Sequence, residues 1–194
     1  MANKKTRALS REEFEKVIYT IKTGFTTATG EKVRPNIRIA TALTLQGKLG
    51  IRIGDIVKFR LSDIIFESGR YRLDIIEEKT GKARTFTVPT EIYIFLQNYA
   101  LDNNIKPKSR LFNITVRAVQ KHLQKVCEYL GLENVSTHSC RKFFANEIYK
   151  NNDYNLYLVN MLLAHSSLET TKFYLSLDSK QVEKALQDHI VLPV

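Results

Sequence analysis

Between Arg60 and Val88 the apolar residues change period, and that change limits what this 194-residue chain can fold into. Arg60-Leu61-Ser62-Asp63-Ile64-Ile65-Phe66-Glu67 leads into a strand, and Ser68-Gly69 turns the chain. Tyr71 to Ile76 alternates as a second strand, Thr80-Gly81 makes a hairpin, and Ala83 to Val88 forms a third strand that Pro89 ends. Most of the remaining chain has helical spacing. Ser10 and Glu13 are placed as a reciprocal cap before a stripe of Phe14, Val17, Ile18 and Ile21. Thr23 to Pro35 reads as a polar loop, and Asn36 to Gln46 as a buried helix broken by Gly47 and Gly50. Thr90 caps a helix to about Asn98, and Asp102 to Ser109 is a loop before a short extended Leu111-Phe112. Thr115 caps a long helix that Gly131 closes. Helices follow over Lys142 to Tyr149, Asn155 to Leu163 and Lys180 to Ile190. The expected class is α+β, mostly helical, with a small three-stranded antiparallel sheet.

Charge narrows the partners. Lys plus Arg number 30 against 20 Asp plus Glu, a net charge of +10, which favours a polyanion. The long helix carries Arg117, Lys121, His122 and Lys125 on its polar face, a stripe suited to phosphates. Other classes are disfavoured. Cys127 and Cys140 make no disulfide framework, the four histidines lack metal-ligand spacing, and no phosphate-binding glycine loop is present. No apolar run approaches a membrane span. The expectation is a cytoplasmic protein without cofactor or metal.

Three motifs carry chemistry. His138 and Arg141 are three apart at the start of a helical stretch, a spacing that puts both on one face. Arg52 lies between Ile51 and Ile53; a guanidinium there needs a partner, and Asp55, three residues on, is the natural one, whether the pair is structural or presents the arginine to an anion. His165 is followed nine residues later by Tyr174.

In that order, with LGIRIGDIVKFRLSDI, EEKTGKARTFTVP, THSCRKFF and LLAHSSLETTKFYL around them, these motifs resemble the catalytic domain of the tyrosine recombinases, the phage-integrase family. The resemblance runs from about Ala8 to Asp178. It implies a site-specific recombinase of the tyrosine-recombinase fold that cleaves and rejoins double-stranded DNA through a covalent 3′-phosphotyrosine. Tyr174 would be the nucleophile. Arg52 and Arg141 would clamp the phosphate, with Asp55 in support. His138 would exchange the tyrosine proton, His165 would hydrogen-bond a phosphate oxygen, and Lys79 would protonate the leaving 5′ oxygen. Arg117, Lys121, Lys125 and Lys82 would contact DNA. A homo-oligomer on DNA, a tetramer, is implied, with a monomer allowed in solution. Residues 1–7 are expected to be a disordered basic N-terminus, 8–178 the catalytic domain, and 179–194 a C-terminal helix and tail, with no separate N-terminal core-binding domain. Gly54 stands where the family often has a small hydroxyl residue. A DNA-binding module without activity, and a nicking-resealing enzyme like the type IB topoisomerases, are the other readings of the same residues.

Overall fold

The computed structural model describes residues 6–164 and 167–175, apart from the side chains of Phe173 and Tyr174. Helix α1 spans Arg11–Thr23, capped reciprocally by Ser10 and Glu13 as expected, and buries Phe14, Val17, Ile18 and Ile21. Helix α2, Ile37–Leu49, starts at an Asn36 cap whose side chain accepts the Ile39 N–H at 3.0 Å. Gly47 does not break this helix. It lies within it because a Cβ there would sit 2.4 Å from Phe14, whose ring stacks on Phe143 at 4.4 Å. The stop is Gly50, at φ 60°, a left-handed cap that L side chains reach only at a cost. Phe144 presses on the same glycine, so α2 meets α6 (Thr137–Asn151) with no room for a side chain between them.

The Thr23–Pro35 stretch is more ordered than a polar loop. Strands β1 (Phe25–Thr26) and β2 (Lys32–Val33) pair antiparallel in it, and Phe25 stacks on Tyr129 at 4.5 Å. The alternating block folds as read: β3 (Ile64–Glu67), β4 (Arg70–Ile76) and β5 (Ala83–Val88) form one antiparallel sheet in that order. Leu61–Asp63 adds a 3-10 turn ahead of it. Tyr71 stacks on Tyr93 at 3.9 Å, fixing the sheet against α4. Helix α4 runs Thr90–Asp102, longer than expected. Pro89 is its N-cap residue and Thr90 its first turn, because proline's set φ and missing N–H suit a helix start. Beside Leu111-Phe112 a single bridge at Arg110 meets Arg60, and Leu111 N–H donates to the Phe59 carbonyl at 2.8 Å.

Helix α5 (Val116–Leu130) lies between its Thr115 cap and Gly131 as anticipated, with Val119, Leu123, Val126 and Cys127 buried. Helix α6 begins at Thr137, a turn earlier than the apolar spacing alone suggested, on a Ser136–Ser139 reciprocal cap. Helices α7 (Leu156–Leu163) and α8 (Leu168–Tyr174) complete the described chain. Residues Phe144, Ala145, Val159, Leu163 and Leu175 form a second cluster beside the main core, seating α7 and α8 on α6. The helix expected over 180–190 lies outside the described residues. Among those described, no helix is long and apolar enough to cross a membrane.

Candidate active site

The site grows from one buried carboxylate. In β4 the inward phase is Leu73 and Ile75, and the next residue in phase is Glu77, whose side chain has no exposed surface. In β5 the inward phase that ends at Val88 begins at Arg84, which is 2% exposed. The two strands pair, so acid and base meet inside the protein. Arg84 Nη1 lies 3.5 Å from Glu77 Oε1, and Arg141 Nη1 lies 3.6 Å from the same oxygen. Arg52 Nη1 donates to Glu77 Oε2. Three guanidiniums thus face one carboxylate, leaving two positive charges in excess among these four groups.

Main-chain carbonyls share the remaining donors. Gly50 O accepts from Arg141 at 2.8 Å and from Arg84 at 3.0 Å. Arg84 also donates to Leu49 O at 2.7 Å and Leu162 O at 2.6 Å, and Arg141 to Leu163 O at 2.8 Å. The end of α2, the hairpin and the end of α7 are therefore joined through two side chains. Burial and the neighbouring Arg141 push the Arg84 guanidinium down to about 9, still protonated at neutral pH. Burial works against ionised Glu77, but the Thr80 hydrogen bond and the charges of Arg52 and Arg141 outweigh it and hold the carboxyl below its ordinary value.

The sequence placed Asp55 as the partner of Arg52; the geometry is different. Arg52 is the N-cap residue of α3 (Ile53–Ile56), its side chain crosses to Glu77, and Asp55 Oδ1 instead accepts the Glu78 N–H at 3.0 Å. Burial raises the Asp55 carboxyl, and its other oxygen is enclosed without a hydrogen-bond partner. Glu77 and Arg84 are the site residues that sequence reading missed. Their signal was a charge in the inward phase of an alternating strand.

His138 and Arg141 share a helix but not an exposure. His138 lies at the rim, only partly open to solvent, while Arg141 is fully buried one turn later. Burial, together with the charges of Arg141, Lys79, Lys142 and Arg52, pushes the His138 imidazole below its ordinary value. That cationic environment joins three segments: the start of α3, the β4–β5 hairpin and α6. Lys79 and Lys82 are exposed on the hairpin. Of the three clustered guanidiniums, Arg52 keeps open surface, with 19% of its side chain exposed.

Arg117, Lys121 and Lys125 are exposed along α5, but Lys125 is paired with Glu31 at 2.5 Å and His122 is pushed down by burial and by Lys125. A groove of about 440 Å³ separates this face from the β1–β2 hairpin and is lined by Lys32, Arg34, Lys121, His122 and Lys125 among others. It lies apart from the arginine cluster. His165 falls outside the described residues, as does the Tyr174 side chain; the Tyr174 backbone ends α8. Among the described residues no group of three or more His, Cys, Asp or Glu could hold a metal ion.

Comparison with known proteins agrees with this architecture. Tyrosine recombinase XerA of Pyrococcus furiosus is 26% identical over 192 residues, covering 93% of this chain and 61% of that protein. The chain thus spans about three fifths of the length of that curated relative. A crystal structure of XerH site-specific recombinase in a post-cleavage complex with its palindromic difH substrate superposes with a TM-score of 0.72 at 22% identity, over 96% of this chain and 54% of that one. The catalytic domain of bacteriophage HP1 integrase is matched almost end to end, at 95% of this chain and 96% of that one, with a TM-score of 0.65 and 18% identity. The mostly helical fold with its small three-stranded antiparallel sheet is the tyrosine recombinase catalytic fold. The sequence profile of the phage integrase family matches residues 3–181, and the chain belongs to that family.

Proposed function

We propose that this chain is a site-specific DNA recombinase that cleaves and rejoins duplex DNA through a covalent 3′-phosphotyrosine. The convergence of Arg52, Arg141 and the Lys79 hairpin on the buried Glu77 carboxylate, in a chain of this family, is the observation that carries the reading. Tyr174 Oη attacks phosphorus, the P–O5′ bond breaks, and the tyrosine proton passes to His138. A phenol with a pKa of about 10 is rarely ionised at neutral pH, so it needs such an acceptor. His138, whose imidazole is pushed below its ordinary value by burial and by the cations around it, supplies it. Arg52 offers its open edge to the phosphate, and Arg141 adds charge from behind it; fixed positive groups stabilise the charge that builds in the transition state. Lys79 gives a proton to the departing 5′ oxygen, and His165 donates to a phosphate oxygen. A 5′ hydroxyl from another strand then reverses the step. Arg117, Lys121 and Lys125 on α5, with Lys82 on the hairpin, engage the DNA backbone. Asp55 supports the arginine segment through the Glu78 backbone. Copies of this chain assemble on the DNA, four in a strand-exchange complex.

The test is a duplex nicked near the scissile phosphate, so that the cleaved end diffuses away. Wild-type protein is expected to form a covalent adduct on denaturing gels, and Tyr174→Phe to bind the same DNA without one. An adduct with Tyr174→Phe overturns the nucleophile. Free hydrolysis products without an adduct overturn the reaction class.

A further inference from the structure

Lys79 reaches out from a four-residue loop, and both of its chain neighbours are tied to the segment that carries Arg52. On one side, Glu78 N–H donates to Asp55 Oδ1 at 3.0 Å. On the other, Thr80 Oγ1 donates to Glu77 Oε2 at 2.9 Å, the same oxygen that receives Arg52 Nη1. Backbone bonds close the loop beneath, from Gly81 N–H to Glu77 O at 2.8 Å and from Glu77 N–H to Lys82 O at 3.0 Å. The Thr80 hydroxyl also accepts the Lys82 N–H at 3.4 Å. It therefore bonds on both sides of the turn while the residue itself is exposed. A surface threonine whose hydroxyl spends its proton on a buried carboxylate is doing something its burial does not require.

We propose that Thr80 is a positioning residue for the proton transfer, linking the Lys79 backbone through the Glu77 carboxylate to Arg52. This rests on the reading of Lys79 as proton donor. A lysine ammonium sits on four rotatable bonds, so its encounter with the leaving oxygen depends on where its Cα is held. Proton donor and phosphate clamp must keep one spacing, because the P–O5′ bond breaks between them. Glu77 sets that spacing, with one oxygen holding Arg52 and the Thr80 hydroxyl together.

A substrate with sulfur in place of the bridging 5′ oxygen tests this, because a thiolate leaves without a proton from the protein. Single-turnover cleavage is measured on nicked oxygen and sulfur substrates with wild type, Thr80→Val, Thr80→Ser and Lys79→Ala. Losing one charge-assisted hydrogen bond is expected to slow Thr80→Val about tenfold on oxygen, with sulfur restoring the rate to within about twofold of wild type. Thr80→Ser, which keeps the hydroxyl, stays near wild type on both substrates, and wild type, Thr80→Val and Thr80→Ser bind uncleavable DNA equally. Thr80→Val cleaving oxygen at the wild-type rate overturns the proposal, as does slowing equally on both substrates. If sulfur fails to rescue Lys79→Ala, Lys79 is not the donor and the proposal falls with it. That result is distinct from rescue of Lys79→Ala without rescue of Thr80→Val, which removes Thr80 alone.

Discussion

Replacing Glu77 by Gln removes one negative charge from among three buried or half-buried arginines while keeping the shape of the side chain. Glu77 has no exposed surface, and its partners Arg84 and Arg141 are 2% and 0% exposed, so solvent screens little of the change. A unit pair near 4 Å is worth about 4 kcal/mol at an effective dielectric of 20, before desolvation is subtracted. Removing one partner of a buried pair characteristically costs about 3–5 kcal/mol. Gln keeps a carbonyl acceptor for one guanidinium, so the lower end, about 3 kcal/mol, is expected. For a chain of this size that lowers the melting temperature by roughly 10 °C. Urea and thermal melts at pH 7 measure it, with Glu78→Gln as control. Glu78 is exposed and pairs with exposed Lys58, which limits its change to under about 1 kcal/mol. The sign with pH follows from the lowered Glu77 pKa. The carboxylate's contribution is fully present above its ordinary value of 4.5 and is lost as pH falls through the lower folded value. The gap between wild type and Glu77→Gln should therefore close below pH 4.5. A Glu77→Gln melt within a degree or two of wild type at pH 7, or a gap that widens in acid, refutes the role given to this carboxylate.

Two further predictions follow from the same geometry. Because His138 is pushed below 6.5 by burial and by Arg141, Lys79, Lys142 and Arg52, single-turnover cleavage should be level through neutral pH and fall only below 6.5. His138→Gln should abolish that limb, and a limb centred above 6.5 contradicts the assignment. Gly50→Ala should cost about 2–4 kcal/mol in urea denaturation, since it combines a strained φ with a Cβ driven into the Phe144 ring. Gly81→Ala, at similar φ with nothing within 4 Å, should cost only about 1 kcal/mol.

Local rules made much of the fold legible. Caps at Ser10, Thr115 and Gly131, and the three-strand block over residues 64–88, are written in side chains that act within a few residues of themselves. What escaped depends on contacts far apart in sequence. Gly47 reads as a breaker until the ring of Phe14, 33 residues earlier, occupies the space a Cβ would need. Asp55 is three residues from Arg52 and was the local choice of partner, yet the ion pair forms with Glu77, 25 residues away. Local spacing places a charge on a face, while the tertiary fold decides what that face meets.

The same distinction separates the parts of the site. His138 and Arg141 are three apart on one helix, a local fact, but one is at the rim and the other fully enclosed because α6 packs its second turn under Gly50 and Leu163. An enclosed guanidinium with carbonyl partners is held in one orientation before any anion arrives. Positioning of this kind is what makes a fixed charge more effective than a solvated one, since nothing need reorganise when the reaction's charge develops. Arg52 keeps open surface, so on the proposed function it would be the group that an incoming phosphate meets. Glu77 lets both states coexist. It lowers the cost of burying Arg84 and Arg141, and by holding Arg52 with its other oxygen it keeps the partly open arginine in line with the buried pair. One carboxylate against three guanidiniums leaves two positive charges in excess among these four groups, and on the proposed function a phosphodiester would meet that charge.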